Sequence, residues 1–465
     1  MSVRTRLAPS PTGEDIHIGN LHSALINYVF ARKHEGAFVV RIEDTDQVRL
    51  VKGSEEQILK SLRAYGLSYD EGPDKDGVYG PYRQSERLET YRIYTKELVD
   101  KKAAYYCICS KERLAKLREK QQKEKQIPRY DKHCLAIQEE VARKVSEGAT
   151  HVVRMDIPDS KDITFHDVIR GDITINTSNL DDQVLMKSDG FPTYHLAVVV
   201  DDNFMKITHV IRGEDWISST PKHILLYEAF GWEKPVFAHT PLLRNPDKTK
   251  LSKRKNPVWA QWYLKQGFLP EAVLNFMALM GWSHPQQKEI FSIDEFTKVF
   301  KLEDLQAVAP IFDVVKLEWM NGEYVRRMSP DILATRIDEF YEGKFDKKII
   351  ESTIPLIQER IKKLSDYKPL VEFIFDRPTK YQVELKTHKK LITKMHDVLS
   401  KLLDWKAEEI GRVMQELAFA ENVKNNEFFM ILRVVVTGKK ISPPLNESME
   451  MLGKKEVLAR IASAS

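Results

Sequence analysis

Two short segments, more than two hundred residues apart, carry the residue types that handle phosphate. Near the start stands Pro9-Ser10-Pro11-Thr12-Gly13, followed by His17-Ile18-Gly19-Asn20. Gly19 lets a ligand approach the backbone closely, and His17 can donate a hydrogen bond to a phosphate oxygen. A helix starting there adds unpaired N–H groups and the positive end of its dipole. Alone, His-x-Gly is a weak signal, and a histidine that merely caps a helix explains it as well. The second segment is Lys250-Leu251-Ser252-Lys253-Arg254. Its ammonium groups, on a loop, could fold over a polyphosphate and neutralise charge developing on leaving pyrophosphate. Taken alone, such a pentamer is more often a basic surface patch. A third cluster holds all three cysteines, Cys107-x-Cys109 and then Cys134. Thiolates in a reducing compartment are more often metal ligands than disulfide partners.

These residues need elements to position them. Residues 3–8 read as a strand, broken into a loop by Pro9, Pro11 and Gly13. Leu21, Ala24, Leu25, Tyr28 and Val29 form a helical stripe that Gly36 stops. Residues 37–42 are an apolar run of strand length ending in Glu43-Asp44. Strand, loop, helix and strand make a βαβ unit, which predicts a parallel sheet with helices on its faces. Further helices are expected over 54–65 and about 86–102, the latter with Ser85 as N-cap. Residues 107–150 are highly charged and poor in apolar residues, so they read as an insertion. Strand-like runs return at 151–157, 173–177, 183–187 and 194–200, and an αβ segment spans 216–237. The stretch LLRNPDKTKLSKRK is too polar and basic to be buried. From about Gly267 onward the pattern is nearly all helical, with Pro310, Pro355, Pro369 and Pro443-Pro444 as expected breaks. No internal repeat or low-complexity segment is present.

Composition bounds the class. At ~150 residues per domain, 465 residues suggest about three domains. Hydrophobic residues at 42% and charged residues at 30% are ordinary for a folded chain and argue against wholesale disorder. No apolar run reaches the ~18 residues of a membrane span. The densest, 428–436, is interrupted by Arg433 and reads as a core element. The N-terminus lacks the apolar stretch of a secretory signal. With three cysteines excluding a disulfide scaffold, the expected location is the cytoplasm. Net charge is only +4, but residues 325–465 hold 26 Lys and Arg against 21 Asp and Glu. A mildly basic C-terminal third suits a phosphate-rich partner.

The order and spacing of the two phosphate segments, set in a Rossmann-like half, resemble the layout of class I aminoacyl-tRNA synthetases. The resemblance becomes close to bacterial glutamyl-tRNA synthetases in RLAPSPTGEDIHIGNLHSAL, VRIEDTD, GPYRQSER, SDGFPTYHLAVVVDD, VIRGEDW and PLLRNPDKTKLSKRK. These segments are collinear over the first ~320 residues, and GFLPEAVLNFMALMGW and FDVVKLEWMNGEY also resemble the family. It implies an α/β fold: a Rossmann-like doubly wound catalytic domain with an acceptor-binding insertion, then an all-α anticodon-binding region. The expected divisions are 1–105 and 186–265 for the catalytic halves, 106–185 for the insertion, 266–325 for a helical stem-contact region and 326–465 for the anticodon-binding domain.

The reaction implied has two steps. L-glutamate and ATP give glutamyl-adenylate and pyrophosphate, and the glutamyl group then passes to the terminal adenosine of tRNA(Glu). The resemblance assigns catalysis to His17, Asn20, Lys250 and Lys253, within motifs running from Pro9 to Gly19 and from Lys250 to Arg254. Thr12, Gly19, Leu243 and Lys253 are assigned to ATP, with Mg²⁺ shared among the phosphates. Arg6 and Arg212 are to hold the substrate carboxylates, Arg6 the side-chain group, since guanidinium forks suit bidentate pairing. Glu43 is to take the ammonium, with Ser10 and Tyr194 completing the pocket and Ala8 adding backbone contacts. Two positions depart from the family pattern: Asn20 replaces a frequent second histidine, and Val198 replaces a frequent asparagine, which removes a hydrogen bond there. Some family members bind Zn²⁺ through a similar Cys-x-Cys…Tyr…Cys arrangement. Here Cys107, Cys109 and Cys134 need a fourth donor, from Tyr130 or His133. Arg360 is aligned with a position that reads the third anticodon base. The protein is expected to be a monomer with no membrane partner. Alternatives are a non-discriminating enzyme that also charges tRNA(Gln), a non-catalytic tRNA-binding paralogue, and a small-metabolite nucleotidyltransferase. A truncated relative that modifies a tRNA base would lack the ~150-residue helical C-terminus.

Overall fold

A computed structural model describes residues 2–249, 251 and 257–464. The chain divides into two compact units, residues 1–263 with 273–313, and residues 264–272 with 314–465.

The first unit opens with the expected βαβ. Strand β1 (Arg4–Leu7) leads through the Pro9–Gly13 loop into helix α1 (Ile18–Lys33) and then strand β2 (Ala37–Val40). β1 and β2 pair in parallel, with Arg6 opposite Val39. In α1, Leu21, Ala24, Leu25 and Val29 are fully buried. The helix ends at Lys33, and Glu35 makes the left-handed turn at φ 50°. Gly36 has another purpose: a Cβ there would lie 2.1 Å from the Val3 carbonyl oxygen, so only glycine lets β1 approach. Helix α2 (Ser54–Ala64) matches expectation. Helix α3 covers Leu88–Asp100, preceded by a 3₁₀ turn over Gln84–Arg87. Ser85 is therefore not its N-cap. Its hydroxyl and N–H instead donate to the two Asp44 carboxylate oxygens at 2.5 and 2.8 Å.

The insertion follows as strand β3 (Ala104–Cys107), helices α4 (Lys111–Lys123), α5 (His133–Ala136) and α6 (Gln138–Ser146), and strand β4 (Val152–Met155). Then come β5 (Asp162–Asp167), β6 (Gly171–Asn176) and β7 (Val184–Met186), and β3, β4 and β7 form one antiparallel sheet. The sequence reading missed β5, whose residues alternate between exposed and buried. The run over 194–200, expected as a strand, is helix α7 (Tyr194–Phe204). Its Leu196 to Val200 are all buried, and a segment buried on every side has no period to distinguish helix from strand.

Strand β8 (His209–Gly213), helix α8 (Thr220–Phe230) and strand β9 (Val236–Thr240) complete the layer. β8 pairs in parallel with β9, which meets β5 in parallel at Asp167 and Phe237. β8 lies beside β1, where the Thr208 N–H donates to the Arg4 carbonyl at 3.0 Å. Arg6, Asp167, Arg212 and His239 therefore stand at or near the carboxyl ends of β1, β5, β8 and β9, each of which has a parallel partner, and open α/β sheets bind ligands at such ends.

The second unit is helical throughout its assigned elements, with one apolar cluster around Val325, Ile337 and Ile354 and another around Met395, Ile431 and Ile461. Residues 428–436 fall within the helix Asn425–Thr437 and supply core, as expected. Pro355 and Pro369 are not breaks. Pro355 lies inside the helix Lys347–Ile357, two residues from its end, and Pro369 is in the first turn of Tyr367–Phe375. Proline is tolerated in a first turn because no N–H is needed there. Among the described residues no helix is long and apolar enough to cross a membrane.

Candidate active site

The strand ends open onto a cleft of about 670 Å³. Arg6, Ala8, Ser10, Glu43, Tyr194 and Arg212, all assigned to one amino-acid pocket, line it together, and so do Thr12 and Asn20. A neighbouring cleft of about 240 Å³ is lined by His17, Gly19, Leu243 and Leu251. Asn20, Ser23, Gly213 and Trp216 line both, so the two form one continuous site.

The acidic and basic groups at the larger cleft are tied into a buried lattice. Arg6 donates through Nε to both Asp202 oxygens, at 3.2 and 3.3 Å. Arg41, with no exposure, donates to Asp202 at 2.7 Å and to Glu43 at 3.1 Å. Asp201 accepts from Arg87 at 2.7 Å, Gln84 at 2.9 Å and the Tyr91 hydroxyl at 2.8 Å. Arg6, Arg41 and Arg87 balance Glu43, Asp201 and Asp202 in charge, so the ions are paired as burial requires. Burial would raise the Asp202 carboxyl, but Arg6 and Arg41 outweigh it and hold it below the usual range. Glu43 goes the other way: burial pushes it up to about 7 against the pull of Arg41 and Arg6. Among the described residues Arg6 Nη2 has no hydrogen-bond partner, which leaves it for a ligand in the cleft.

Arg212 is held on every side. Its Nε donates to His239 Nε2 at 3.1 Å, Nη2 to Thr220 Oγ1 at 2.9 Å and Nη1 to the Tyr194 hydroxyl at 3.0 Å. Nη1 also lies 3.3 Å from His223 Nδ1, and His223 Nε2 lies 3.1 Å from His195 Nδ1. Burial and the Arg212 charge keep His223 neutral, its pKa far below the usual value, and burial lowers His195 to about 3.

On the other side, His17 does cap α1: its Nδ1 accepts from the Gly19 N–H at 3.0 Å. That bond places the ring proton on Nε2, so capping and donation by the other nitrogen are compatible. Buried His22, also lining this cleft, is pushed down to about 4 by burial. Lys250, Ser252, Lys253 and Arg254 lie outside the described residues; Leu251 between them is buried against this cleft.

The cysteines meet in the insertion. The Cys107, Cys109 and Cys134 Sγ atoms lie within 4.8 Å of one another. The Tyr130 hydroxyl is 3.2 Å from Cys109 Sγ and 3.5 Å from Cys107 Sγ. It also accepts the Cys134 N–H at 2.9 Å. His133 is exposed, so of the two candidate fourth donors Tyr130 is the one beside the thiols. Burial and neighbouring thiols push Cys109 up to about 11. Three sulfurs and a phenol oxygen around one point fit a tetrahedral thiophilic cation.

A family model for the catalytic domain of class I tRNA synthetases (E and Q) matches residues 2–319, and an anticodon binding domain model matches 323–465. A glutamate–tRNA ligase of Acidothermus cellulolyticus is 48% identical over 485 residues, covering all of this chain and 96% of its own. The chain belongs to the glutamate–tRNA ligase family. A member from Stutzerimonas stutzeri is 42% identical over 472 residues, covering 100% of this chain and 95% of its own. The crystal structure of a glutamate tRNA ligase from Elizabethkingia meningosepticum, in complex with its amino acid, superposes with a TM-score of 0.89. That pair shares 36% identity and covers 100% and 99% of the two chains.

Within this glutamate–tRNA ligase fold, sequence reasoning missed Arg41, Asp167, Asp201, Asp202, His223 and His239. A signal existed for some: Arg41 interrupts an apolar run, and Asp201-Asp202 ends another, and a charge inside such a run must find a partner. Val198, where the family often has asparagine, is 1% exposed in the core and does not line the cleft. Arg360 is exposed in the turn after the helix Lys347–Ile357.

Proposed function

We propose that this glutamate–tRNA ligase forms glutamyl-adenylate in the double cleft and passes the glutamyl group to the terminal adenosine of tRNA(Glu). The observation that carries the proposal is the convergence of Arg6, Glu43, Tyr194 and Arg212 on one cleft. That cleft continues into the space beside His17, Gly19 and Leu243. Glutamate brings two carboxylates and one ammonium, and the cleft offers two guanidinium groups and one carboxylate.

The nucleophile of the first step is a carboxylate, already ionised near neutral pH. No general base is needed, so rate comes from positioning and from stabilising charge on the phosphates. Arg6, anchored by Asp202, presents Nη2 to the side-chain carboxylate. Tyr194 accepts from Arg212 and keeps its own O–H proton to give, so Arg212 acts both by charge and through that hydroxyl. Glu43 receives the ammonium, whose charge favours its ionised form. Ser10 and the Ala8 backbone close the pocket, and Thr12, Gly19 and Leu243 border the nucleotide. His17 donates from Nε2, and Asn20 donates where a second histidine would carry charge. Lys250 and Lys253 serve the phosphates on chemical grounds. ATP enters with Mg²⁺, which neutralises phosphate charge when bound. Cys107, Cys109, Cys134 and Tyr130 would hold Zn²⁺, whose contribution there is to cross-link the insertion.

The second unit is proposed to read the anticodon, with Arg360 at the third base. The test is a charging assay with purified tRNA(Glu) and tRNA(Gln). Glutamyl-tRNA(Glu) formation supports the proposal. Charging of both marks a non-discriminating enzyme, and charging of neither, with no pyrophosphate exchange in glutamate, ATP and tRNA, marks a non-catalytic paralogue.

A further inference from the structure

Behind Arg212, on the side away from the cleft, two strand-end residues form a chain that nothing in the two-step reaction requires. We infer that His239, backed by Asp167, is a positioning residue for glutamate recognition that fixes the plane of the Arg212 guanidinium; this rests on Arg212 serving the substrate carboxylate.

The stereochemistry is restrictive. Arginine has donors only. His239 Nε2, 3.1 Å from Arg212 Nε, must therefore present its lone pair. The ring proton is left on Nδ1, 2.6 Å from Asp167 Oδ2, which accepts it. The Asp167 carboxylate cannot turn away, because its Oδ1 accepts the Ile169 and Arg170 N–H groups, each at 3.1 Å. Thr220 Oγ1 accepts from Arg212 Nη2 at 2.9 Å and lies 3.2 Å from the same His239 Nε2. Nε and Nη2 are thus gripped from behind, and the plane so fixed sends Nη1 to the Tyr194 hydroxyl. Asp167, His239 and Thr220 have no exposure, so water does not compete for these bonds. Burial, with Arg212 adding to it, keeps His239 below its usual pKa although Asp167 opposes this, which agrees with a neutral ring.

Backbone register supplies the precision. β8 and β9 pair Arg212 with His239, and β9 meets β5 where Phe237, two residues before His239, pairs with Asp167, so three parallel strands deliver the chain. A lysine at 212 would carry charge but could not be gripped at two points.

The experiment is aminoacylation kinetics on the full chain for His239→Phe, His239→Gln, Asp167→Asn and Arg212→Lys. The phenyl ring removes the acceptor, and KM for glutamate is expected to rise about tenfold or more while KM for ATP stays within about twofold. Glutamine keeps an oxygen where Nε2 stood, and is expected to recover glutamate KM to within about threefold. In Asp167→Asn the amide oxygen stays on the two backbone N–H groups and its NH₂ faces the ring. That drives the proton to Nε2, against Arg212, so glutamate KM rises and ¹⁵N NMR of the ring reports the other tautomer. The inference is overturned if His239→Phe leaves glutamate KM unchanged, if glutamate and ATP terms rise together, or if Gln and Phe lose equally. Should His239→Phe not fold, Asp167→Asn, nearly isosteric, decides by the same readings. Arg212→Lys separates the two levels. If it leaves glutamate kinetics unchanged, the carboxylate assignment fails; if it abolishes glutamate use while the His239 and Asp167 variants do not, only the positioning role fails.

Discussion

Acidification should weaken glutamate use before it touches ATP use, because Glu43 sits near its own titration point. Burial pushes this carboxyl from 4.5 up to about 7 even with Arg41 and Arg6 beside it. If the ionised form receives the substrate ammonium, apparent affinity follows the ionised fraction, roughly 0.9 at pH 8, half at pH 7 and 0.1 at pH 6. KM for glutamate should then rise about tenfold from pH 8 to pH 6, about 1.4 kcal/mol, with KM for ATP nearly flat. Arg41 Nη2, 3.1 Å from Glu43 Oε1, is the larger of the two cationic pulls. Arg41→Met should therefore move the knee of the profile to higher pH. Stability runs in the opposite sense. Between pH 4.5 and about 7 the folded chain binds more protons at Glu43 than the unfolded chain does. This contribution is therefore full below pH 4.5 and lost as pH rises through about 7, an effect of about 3 kcal/mol. The assay is initial-rate aminoacylation from pH 6 to 9 at constant ionic strength, with ATP and tRNA saturating. A flat glutamate KM, a parallel rise for ATP, or an unmoved knee in Arg41→Met would refute the reasoning.

Three further outcomes are expected. If Lys253 serves the phosphates as proposed, Lys253→Ala should depress adenylate formation about a hundredfold or more with the melting temperature unchanged; near-normal pyrophosphate exchange would exclude that role. Protein purified without chelators should contain close to one Zn²⁺ per chain by elemental analysis, lost in Cys134→Ser; a metal-free wild type would leave three free thiols at the cluster. Gly36→Ala should destabilise the first unit by about 1–3 kcal/mol, because the Val3 carbonyl must move off its Cβ; an unchanged urea midpoint would show that β1 yields freely.

What the sequence made legible was the set of residues that line the cleft. Glu43 and Arg212 each stand just past a short apolar run, and Arg6 lies within the first strand near its carboxyl end, where open α/β sheets bind ligands. What it did not make legible was the support behind them. Arg41 meets Asp202 across 161 positions and His239 meets Asp167 across 72, pairings that only the folded chain creates. Helix α7 was read as a strand for a related reason: its Leu196–Val200 stretch is buried throughout, and amphipathic period appears only where one side meets water. His17 shows the two readings of one residue to be compatible, since the nitrogen that caps α1 is not the nitrogen that can donate.

The central claim is that two guanidinium groups and one carboxylate in a single cleft select a dicarboxylic amino acid. Its most direct test is kcat/KM for glutamate, glutamine and aspartate in aminoacylation of tRNA(Glu) by the wild-type chain. The account predicts glutamate ahead of both by about three orders of magnitude or more, because a neutral amide or a shorter side chain leaves Arg6 Nη2 without its anionic partner in a buried site. Glutamine or aspartate used within about tenfold of glutamate would contradict it.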